Sequence, residues 1–407
     1  MIRKRLLSVL LLGLAVLLAL AACSKTAATS GAAGGAASVE LIVWESTEGP
    51  DEFIRQAGAA YTAQHPNVTI KYVNVELGDS HTQIALDGPA GVGPDLFAGP
   101  HDTLGELVTN GHVLPTANPA AVEAQILGAC ATAVTYDGVM YGYPVSAETY
   151  ALFYNKALIQ ESQIPTTWEG LVAWAKTFSQ NQPGKYPFMM DVGNAYYSIF
   201  FTTMGGNRLF GAGGTDTKNS NLNTPAAVTG MKFFQSLRSI LNVPAADLGT
   251  SVTDGAFAAG NVAIYISGPW NVNPFRDAGI DIGVAPLPSL PGEASPAASF
   301  SGTRVMFVSA YSKHPDEAQD FGAFLLSAGM QQLRARLTTT LPSIDTPVAD
   351  NPYAPGFLAQ LDYAFPMPSI PPMAKFWDAM NAASANVWNG ADVQKEMDAA
   401  NAAILAM

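Results

Sequence analysis

Residues 39–75, VELIVWESTEGPDEFIRQAGAAYTAQHPNVTIKYVNV, contain the succession of patterns that decides the fold. The apolar run at residues 41–44 predicts a buried strand, and turn residues follow it. Apolar residues then recur at helical spacing over residues 53–61, and residues 68–75 predict a second strand. Together with a third candidate strand at residues 94–97, this order of strands and helices predicts a parallel sheet covered by helices.

Two loops of this region are the predicted position of a binding site. Ligands of parallel sheets bind at the carboxyl ends of the strands, so we expect residues 44–50 and 99–104 to line a cleft. The second half of the chain also contains both helix and strand patterns, with capping-box spacing at residues 166–169 and an apolar strand at residues 262–266. The sequence therefore predicts an α/β fold with two lobes, each containing a mostly parallel sheet.

The composition narrows the class of protein. The chain has 407 residues, with 20 basic and 33 acidic side chains and a formal net charge of −13. At about 100–200 residues per domain, this length predicts two or three domains. So few Lys and Arg exclude a nucleic-acid-binding surface, and two cysteines exclude a disulfide scaffold or a four-thiolate zinc site. A hydrophobic content of 48% excludes general disorder.

The first 38 residues predict export and membrane anchoring. Residues 1–22 begin with basic side chains and continue in an apolar run that is too short to span a bilayer, as in a signal peptide. Residues 20–23, LAAC, resemble the bacterial lipobox, which implies a lipid on Cys23; ordinary secretion after cleavage at an A-x-A site is the alternative. Residues 23–38 predict a flexible tether. We therefore expect an extracytoplasmic protein, lipid-anchored to the outer face of the cell membrane.

A search for catalytic motifs finds no enzyme signature. The sequence has no G-x-S-x-G elbow, no H-E-x-x-H motif, no phosphate-binding loop and no dinucleotide fingerprint after a strand. Its five histidines are scattered without metal-ligand spacing. Asp102 and Glu148 could be imagined as the two carboxylates of a glycosidase, but no pattern singles them out. We therefore expect no catalytic site, no metal and no cofactor.

Aromatic and acidic residues in the loops indicate a saccharide ligand instead. A sugar presents an apolar face of C–H groups that packs on an aromatic ring, and its hydroxyls donate hydrogen bonds to carboxylates and amides. The candidate loops are also poor in Arg and Lys, which disfavours a phosphate or carboxylate ligand.

Several spaced motifs resemble those of one known family, the extracellular solute-binding proteins of bacterial ABC importers, of the maltose/maltodextrin-binding type. The resemblance runs from Val39 to the C-terminus. Its marks are Trp44 at a strand end, GPD at residues 93–95 before His101 and Asp102, YPVSAE at residues 143–148, PTTWE at residues 165–169, GPW at residues 268–270, and MPSIPPM at residues 367–373 before Phe376 and Trp377.

The resemblance implies roles for seven residues in ligand binding. Sugar rings are expected to stack on three aromatic side chains, those of Trp270, Trp377 and Tyr196. Four polar side chains are expected to accept hydrogen bonds from sugar hydroxyls or to lie beside them, those of Glu148, Asp102, Glu48 and Asn194. Alternatives remain for two of them. Trp270 could fill a gap between the lobes, and Asp102 could cap the helix that follows it.

The chain also departs from the family pattern. Maltose-binding relatives often read WAHDR where this chain reads GPHDT at residues 99–103, so one aromatic platform and one arginine are missing. Gly49 replaces a lysine of the first loop. We expect a cleft that is less charged and less aromatic at one end, and these departures leave the length and linkage of the sugar open.

The resemblance also implies a domain organisation and a function. Lobe 1 is expected at residues 39–147 and 305–348, and lobe 2 at residues 148–302 and 352–407, with the crossings between them acting as a hinge. The expected function is that of a monomeric receptor that closes on maltose or maltodextrin-like oligosaccharides and delivers them to the permease of an ABC importer. A receptor for another oligosaccharide and an enzyme that acts on surface glycans are the alternatives.

Overall fold

The computed structural model describes residues 37–348 and 351–406. In this part of the chain the strands, β1 to β12, are Val39–Glu45, Val68–Asn74, Leu96–Pro100, Thr135–Tyr136, Val139–Met140, Tyr143–Thr149, Ala151–Asn155, Tyr186–Met189, Val262–Ser267, Ile282–Ala285, Phe300–Val308 and Phe365–Pro366. The α-helices, α1 to α15, are Pro50–Gln64, Ser80–Asp87, Leu104–Thr109, Pro119–Glu123, Gly128–Ala133, Trp168–Asn181, Ala195–Ser198, Pro225–Ser236, Thr250–Ala258, Val272–Asp277, Pro315–Leu325, Ala328–Thr338, Ala354–Leu361, Met373–Trp388 and Val393–Leu405. Short 3-10 helices include His101–Thr103, Ile199–Gly206 and Pro269–Asn271.

The N-terminal segment that carries the predicted signal peptide is not among the described residues. Residues 1–36 include Cys23 and nearly all of the predicted tether, so these predictions lie outside the described part of the chain. Among the residues that are described, no helix is long and apolar enough to cross a membrane.

The first sheet has six strands and begins with the stretch that predicted the fold. Strands β2, β1, β3 and β11 are adjacent in that order, and β11 also pairs with β6 and β12. The pairs of β1 with β2 and β3 are parallel, as predicted, and β11 runs antiparallel to β3 and β6. Because β1 and β3 end at the same edge, the loops that follow them lie side by side.

The second sheet corrects the prediction of a mostly parallel arrangement. Its four strands are ordered β10, β7, β9 and β8, and only β8 and β9 are parallel. Only Tyr150 separates β6 from β7, so the chain enters this sheet without a helical crossover. Strand β7 runs antiparallel to both of its neighbours, β9 and β10.

The predicted capping box at the start of α6 is also wrong. The N-cap is Thr167, whose hydroxyl accepts a hydrogen bond from the backbone N–H of Gly170 at 3.0 Å. The carbonyl oxygen of Thr166 instead accepts a hydrogen bond from the backbone N–H of Ser289, and Thr166 lies outside the helix. The helix therefore begins at Trp168.

Each sheet has its own hydrophobic core. The first core draws its buried residues from positions 39–145 and 305–333, and the second from positions 150–300 and 341–404. Strand β11 contributes to both, since Phe300 packs in the second core and Val305 in the first. Trp168 and Trp388 are fully buried in the second core, and Trp44, which ends the predicted buried strand, is buried in the first.

Gly230 in α8 is required by close packing, and its replacement is expected to destabilise the second core. A Cβ atom at this position would overlap the carbonyl oxygen of Phe201. We expect Gly230→Ala to lower the free energy of unfolding by about 1–3 kcal/mol, the usual effect of overpacking. Gly255 in α9 is the control, since its Cβ would meet no atom within 4 Å and Ala is the better helix former by about 1 kcal/mol. Urea unfolding followed by circular dichroism measures both; a Gly230→Ala variant as stable as Gly255→Ala would contradict the packing argument.

Candidate functional site

Two connected cavities lie at the edge where β1 and β3 end. Cavity A has a volume of about 560 Å³ and is lined by residues from three segments among others, which include Pro100, Asp102 and Glu106, then Gly302, Thr303 and Arg304, then Met367, Ile370 and Trp377. Cavity B has a volume of about 380 Å³ and is lined by Ser46, Thr47, Glu48, Pro50, Thr338 and Thr340 among others. The two cavities share Leu77, Glu148, Trp270 and Arg304 in their linings, so they form one continuous cleft.

The structure brings six of the seven predicted ligand-binding residues into this cleft. Asp102, Tyr196 and Trp377 line cavity A, Glu48 lines cavity B, and Glu148 and Trp270 line both. They come from distant parts of the chain and from both cores. The predicted loops at residues 44–50 and 99–104 both contribute to the cleft.

Asn194 is the exception, because it is in the lining of neither cavity. Its side-chain oxygen accepts a hydrogen bond from the backbone N–H of Tyr196 at 2.9 Å and caps the short helix α7. The position of Asn194 thus argues against the predicted sugar contact. Its side chain fixes the start of the helix that carries Tyr196.

Aromatic side chains form a continuous row along the cleft. The ring centroids of Trp270 and Tyr196 are 6.0 Å apart, those of Tyr196 and Phe300 are 6.2 Å apart, and those of Phe300 and Trp377 are 6.2 Å apart. Phe300 is fully buried behind the row, whereas the other three rings are half-buried and line cavity A. The row offers flat apolar surfaces at the cavity wall.

The sequence GPW explains how Trp270 is held there. A Cβ atom on Gly268 would overlap the Trp270 ring, so only glycine allows the indole to fold back over the strand end. The hydroxyl of Thr339 donates a hydrogen bond to the carbonyl oxygen of Pro269 at 2.6 Å. The ring therefore packs against Gly268, the hydrogen bond from Thr339 holds the loop that carries it, and the ring lines both cavities.

Asp102 and Trp377 form a hydrogen bond across the cleft wall. The indole Nε1 of Trp377 donates to a carboxylate oxygen of Asp102 at 3.1 Å. Helix α3, which follows Asp102, receives no side-chain cap, so the alternative role of Asp102 as a helix cap is not seen. Burial raises the pKa of Asp102 to about 6, although the hydrogen bond from Trp377 acts in the opposite direction.

His101 fixes the position of Asp102. Its Nδ1 accepts a hydrogen bond from the backbone N–H of Thr303 at 3.1 Å, so its Nε2 carries the proton and donates to the carbonyl oxygen of Met367 at 3.0 Å. Burial lowers the pKa of His101 to about 4, so the ring is neutral at physiological pH. These bonds tie the end of β3 to β11 and to the segment after β12.

The buried carboxylate of Asp102 is expected to destabilise the folded protein more at pH 7 than at pH 4. Its pKa is about 6 in the folded protein against 3.8 in the unfolded chain, so its contribution to stability is fully present below pH 3.8 and is lost as the pH rises through 6. The full difference is roughly 3 kcal/mol. Asp102→Asn removes the charge and keeps an acceptor for Trp377, so it should raise the free energy of unfolding at pH 7 and change it little at pH 4.

Urea unfolding at both pH values tests this expectation. The other carboxylates of cavity A, those of Glu106, Glu148 and Asp378, are present in both proteins. The difference between the wild type and Asp102→Asn therefore isolates Asp102. An equal stability difference at pH 4 and pH 7 would contradict the assigned pKa.

Arg304 is the residue of the cleft that the sequence interpretation missed. It lies in the buried strand β11, is 8% exposed and lines both cavities. A charged residue in an otherwise mostly apolar strand was the available signal, because Arg is almost never buried without a partner. Glu106 and Asp378 also line cavity A and were not predicted.

Behind Arg304 lies a buried ionic cluster. Glu45, at the end of β1, is fully buried, and its carboxylate oxygens lie 3.3 Å from Arg304 Nη2 and 3.3 Å from Arg334 Nη1. Arg334 is fully buried on the side away from the cleft, and its guanidinium lies 5.1 Å from the centre of the Phe53 ring. One carboxylate thus serves two arginines, of which only Arg304 reaches the cavities.

Two α/β lobes with separate cores, and a cleft lined by residues of both, define a two-lobed ligand-binding protein. The chain belongs to the family of bacterial extracellular solute-binding proteins, which matches residues 44–332. This match confirms the family and the fold class that the sequence motifs predicted. Members of the family are binding proteins.

Individual relatives cover nearly the whole chain. The galactooligosaccharide-binding protein of Bacillus subtilis is 31% identical over 97% of this chain and 95% of its own length. A maltooligosaccharide ABC transporter solute-binding lipoprotein of Streptococcus pneumoniae is 28% identical over 90% of this chain and 88% of its own length. The crystal structure of a cyclo/maltodextrin-binding protein complexed with maltotetraose is 33% identical, covers 90% of this chain and 96% of that one, and superposes with a TM-score of 0.77.

Proposed function

We propose that this protein is a receptor that binds an uncharged oligosaccharide of the maltodextrin type in the cleft and delivers it to an ABC importer. The observation that carries the proposal is the row of half-buried rings from Trp270 to Trp377, which faces the same cavity as the carboxylates of Asp102 and Glu148. A saccharide of several units can lay its C–H faces on the rings and donate its hydroxyls to the carboxylates. The maltooligosaccharide transporter lipoprotein and the cyclo/maltodextrin-binding protein among the relatives support this ligand class.

A second oligosaccharide remains a candidate for a specific reason. A relative that covers most of this chain binds galactooligosaccharides. In addition, Gly49 and Thr103 stand where maltose-binding relatives often carry a lysine and an arginine. Thr103 lines cavity A, and Gly49 lies in the loop whose neighbouring residues line cavity B, so the sequence differences fall beside both cavities.

Closure of the two lobes is the proposed mechanism. We assign residues 39–147 and 305–348 to lobe 1 and residues 148–302 and 352–407 to lobe 2. The crossings are then the β6–β7 junction, strand β11 and the segment 348–352, of which residues 349 and 350 lie outside the described residues. A ligand that contacts both lobes has higher affinity for the closed form and therefore shifts the population toward closure.

The proposed location is the outer face of the cell membrane, with the protein a monomer held by a lipid on Cys23. The LAAC motif at residues 20–23 supports the anchor, and so does the lipoprotein named among the relatives. Metabolic labelling with a radioactive fatty acid tests it: the wild type should incorporate the label and Cys23→Ser should not. Equal labelling of the two would remove this proposal.

The ligand is tested by titrating the protein with saccharides while its tryptophan fluorescence is recorded. Maltose, maltotriose and β-1,4-galactotriose form the panel, and each sugar is recovered and analysed afterwards. Saturable signals with intact sugar support a receptor, whereas released products would favour the alternative of a glycan-acting enzyme. The absence of binding to all three sugars would overturn the saccharide assignment.

A further inference from the structure

Arg304 is aimed at the junction of the two cavities by the geometry of its strand. In the ladder, Arg304 lies opposite Pro100 on β3 and Ser146 on β6, and the register with β6 shifts between Arg304 and Val305. Such a bulge changes the direction of the side chains beside it and is common next to binding sites. The guanidinium therefore reaches the lining shared by cavities A and B.

The contacts of Arg304 leave part of its donor capacity unused. Its Nη2 donates to the hydroxyl of Ser46 at 2.7 Å and lies 3.3 Å from Glu45. Its Nε is buried and has no hydrogen-bond partner among the residues that the structure describes. Since Glu45 is also paired with Arg334, the single carboxylate does not neutralise both guanidinium groups. Because the Nε atom of Arg304 has no exposed surface, a ligand would bond the guanidinium through Nη1, which forms no hydrogen bond to the described residues and is not among their buried unpartnered atoms.

An acceptor faces the same junction. Glu148 lines both cavities and is half-buried, and its Oε1 accepts a hydrogen bond from the hydroxyl of Ser146 at 2.8 Å. Within the described part of the chain, no ion pair joins Glu148 to Arg304. A charged donor and a charged acceptor thus line one small region without bonding to each other.

We propose that Arg304 and Glu148 together bind one hydroxyl group of the saccharide where cavities A and B meet. The hydroxyl oxygen accepts a hydrogen bond from the guanidinium and donates its proton to the carboxylate, which uses both of its capacities. Hydrogen bonds to ionised groups are roughly twice as strong as neutral ones. Arg304 is therefore a specificity-determining residue of the binding site, and the inference rests on the proposed function.

This arrangement distinguishes ligand groups by their hydrogen-bonding capacity. A glycosidic or ring oxygen accepts but cannot donate, so it satisfies Arg304 and leaves Glu148 without a donor. Only a hydroxyl satisfies both side chains. A site built to bond a hydroxyl strongly rejects an analogue that lacks it, so the pair selects saccharides that place a free hydroxyl at the junction.

A double-mutant cycle on maltotriose affinity, measured by isothermal titration calorimetry, tests the shared hydroxyl. Arg304→Met and Glu148→Gln are each expected to weaken binding at least tenfold. The double variant should have about the same affinity as the single variant that binds less tightly. Either substitution alone already prevents the two side chains from sharing the hydroxyl group. The affinity of the double variant is then about tenfold higher than the product of the two single effects would give, which is a coupling energy of about 1.4 kcal/mol. If the two effects simply multiply, the inference is overturned.

Controls separate binding from a structural role of Arg304. Arg334→Met removes the other partner of Glu45 but touches neither cavity, so its cycle with Glu148→Gln should show no coupling in affinity. In Arg304→Met the carboxylate of Glu45 is still paired with Arg334, so that variant should fold. Arg304→Lys retains the positive charge and gives a second test, in which we expect an affinity between those of the wild type and Arg304→Met. Coupling that appears equally in the free energy of unfolding of the unliganded variants would overturn the inference.

The proposed function and this inference fail in different ways. A wild-type protein that binds neither maltotriose nor β-1,4-galactotriose overturns both. If only β-1,4-galactotriose binds, the same cycle is measured on that sugar. Binding that is unaffected by Arg304→Met overturns the inference and leaves the proposed function intact.

Discussion

Replacement of either Trp270 or Trp377 by alanine is expected to weaken maltotriose binding at least tenfold, equal to about 1.4 kcal/mol. Both rings are half-buried at the wall of cavity A, at opposite ends of the aromatic row. Alanine removes the flat surface on which a sugar unit would pack. The double variant should lose about a hundredfold, since the rings lie at separate positions and their effects should multiply. Calorimetric titration at constant pH measures the three affinities.

Trp174 provides the matched control. It is also half-buried, but it packs on Phe178 within α6 with a ring distance of 4.9 Å and is in the lining of neither cavity. Trp174→Ala should lower thermal stability and leave affinity unchanged. Wild-type affinity in both cleft variants, or an equal loss in Trp174→Ala, would remove the two tryptophans from the binding site.

Glu45→Gln is expected to have the largest effect on stability of the substitutions considered. Glutamine keeps the shape of the side chain but leaves the guanidinium groups of Arg304 and Arg334 without their shared carboxylate. Breaking a buried ion pair by removing one partner lowers the free energy of unfolding by about 3–5 kcal/mol. Urea unfolding monitored by circular dichroism would detect this as a large shift of the midpoint.

Glu40 is the control from the same strand. It is exposed and lies 3.9 Å from Lys71 in a surface ion pair, so Glu40→Gln should change the free energy of unfolding by less than about 1 kcal/mol. A similar small effect at both positions would mean that the buried cluster adds little to folding.

The sequence predicted the first sheet better than the second for a physical reason. Residues 39–75 carry clear strand and helix periodicities, and parallel strands joined by a helix admit few arrangements. In the second sheet, residues 151–155 are as apolar as any buried strand, but periodicity does not tell in which direction a strand runs. The pairs that β7 forms with β9 and β10 join distant parts of the chain, and no local pattern encodes them.

The residues of the cleft were also predicted only in part, because local sequence does not reveal contacts between distant parts of the chain. Motifs pointed to Trp270 and Glu148, which line both cavities, because local sequence holds them near strand ends. The hydrogen bond between Asp102 and Trp377 joins residues 275 positions apart, and no local pattern encodes it. Arg304 was missed because its role depends on a bulge in the pairing with β6.

The division of the first core between two segments of the chain has a consequence for the order of folding. Positions 39–145 cannot complete their core until positions 305–333 have been synthesised, because β11 supplies the strand next to β3. Contacts between such distant positions form slowly, since a long loop must close first. The N-terminal part therefore cannot reach its final packing before positions 305–333 have been made, so the first core is completed late in synthesis.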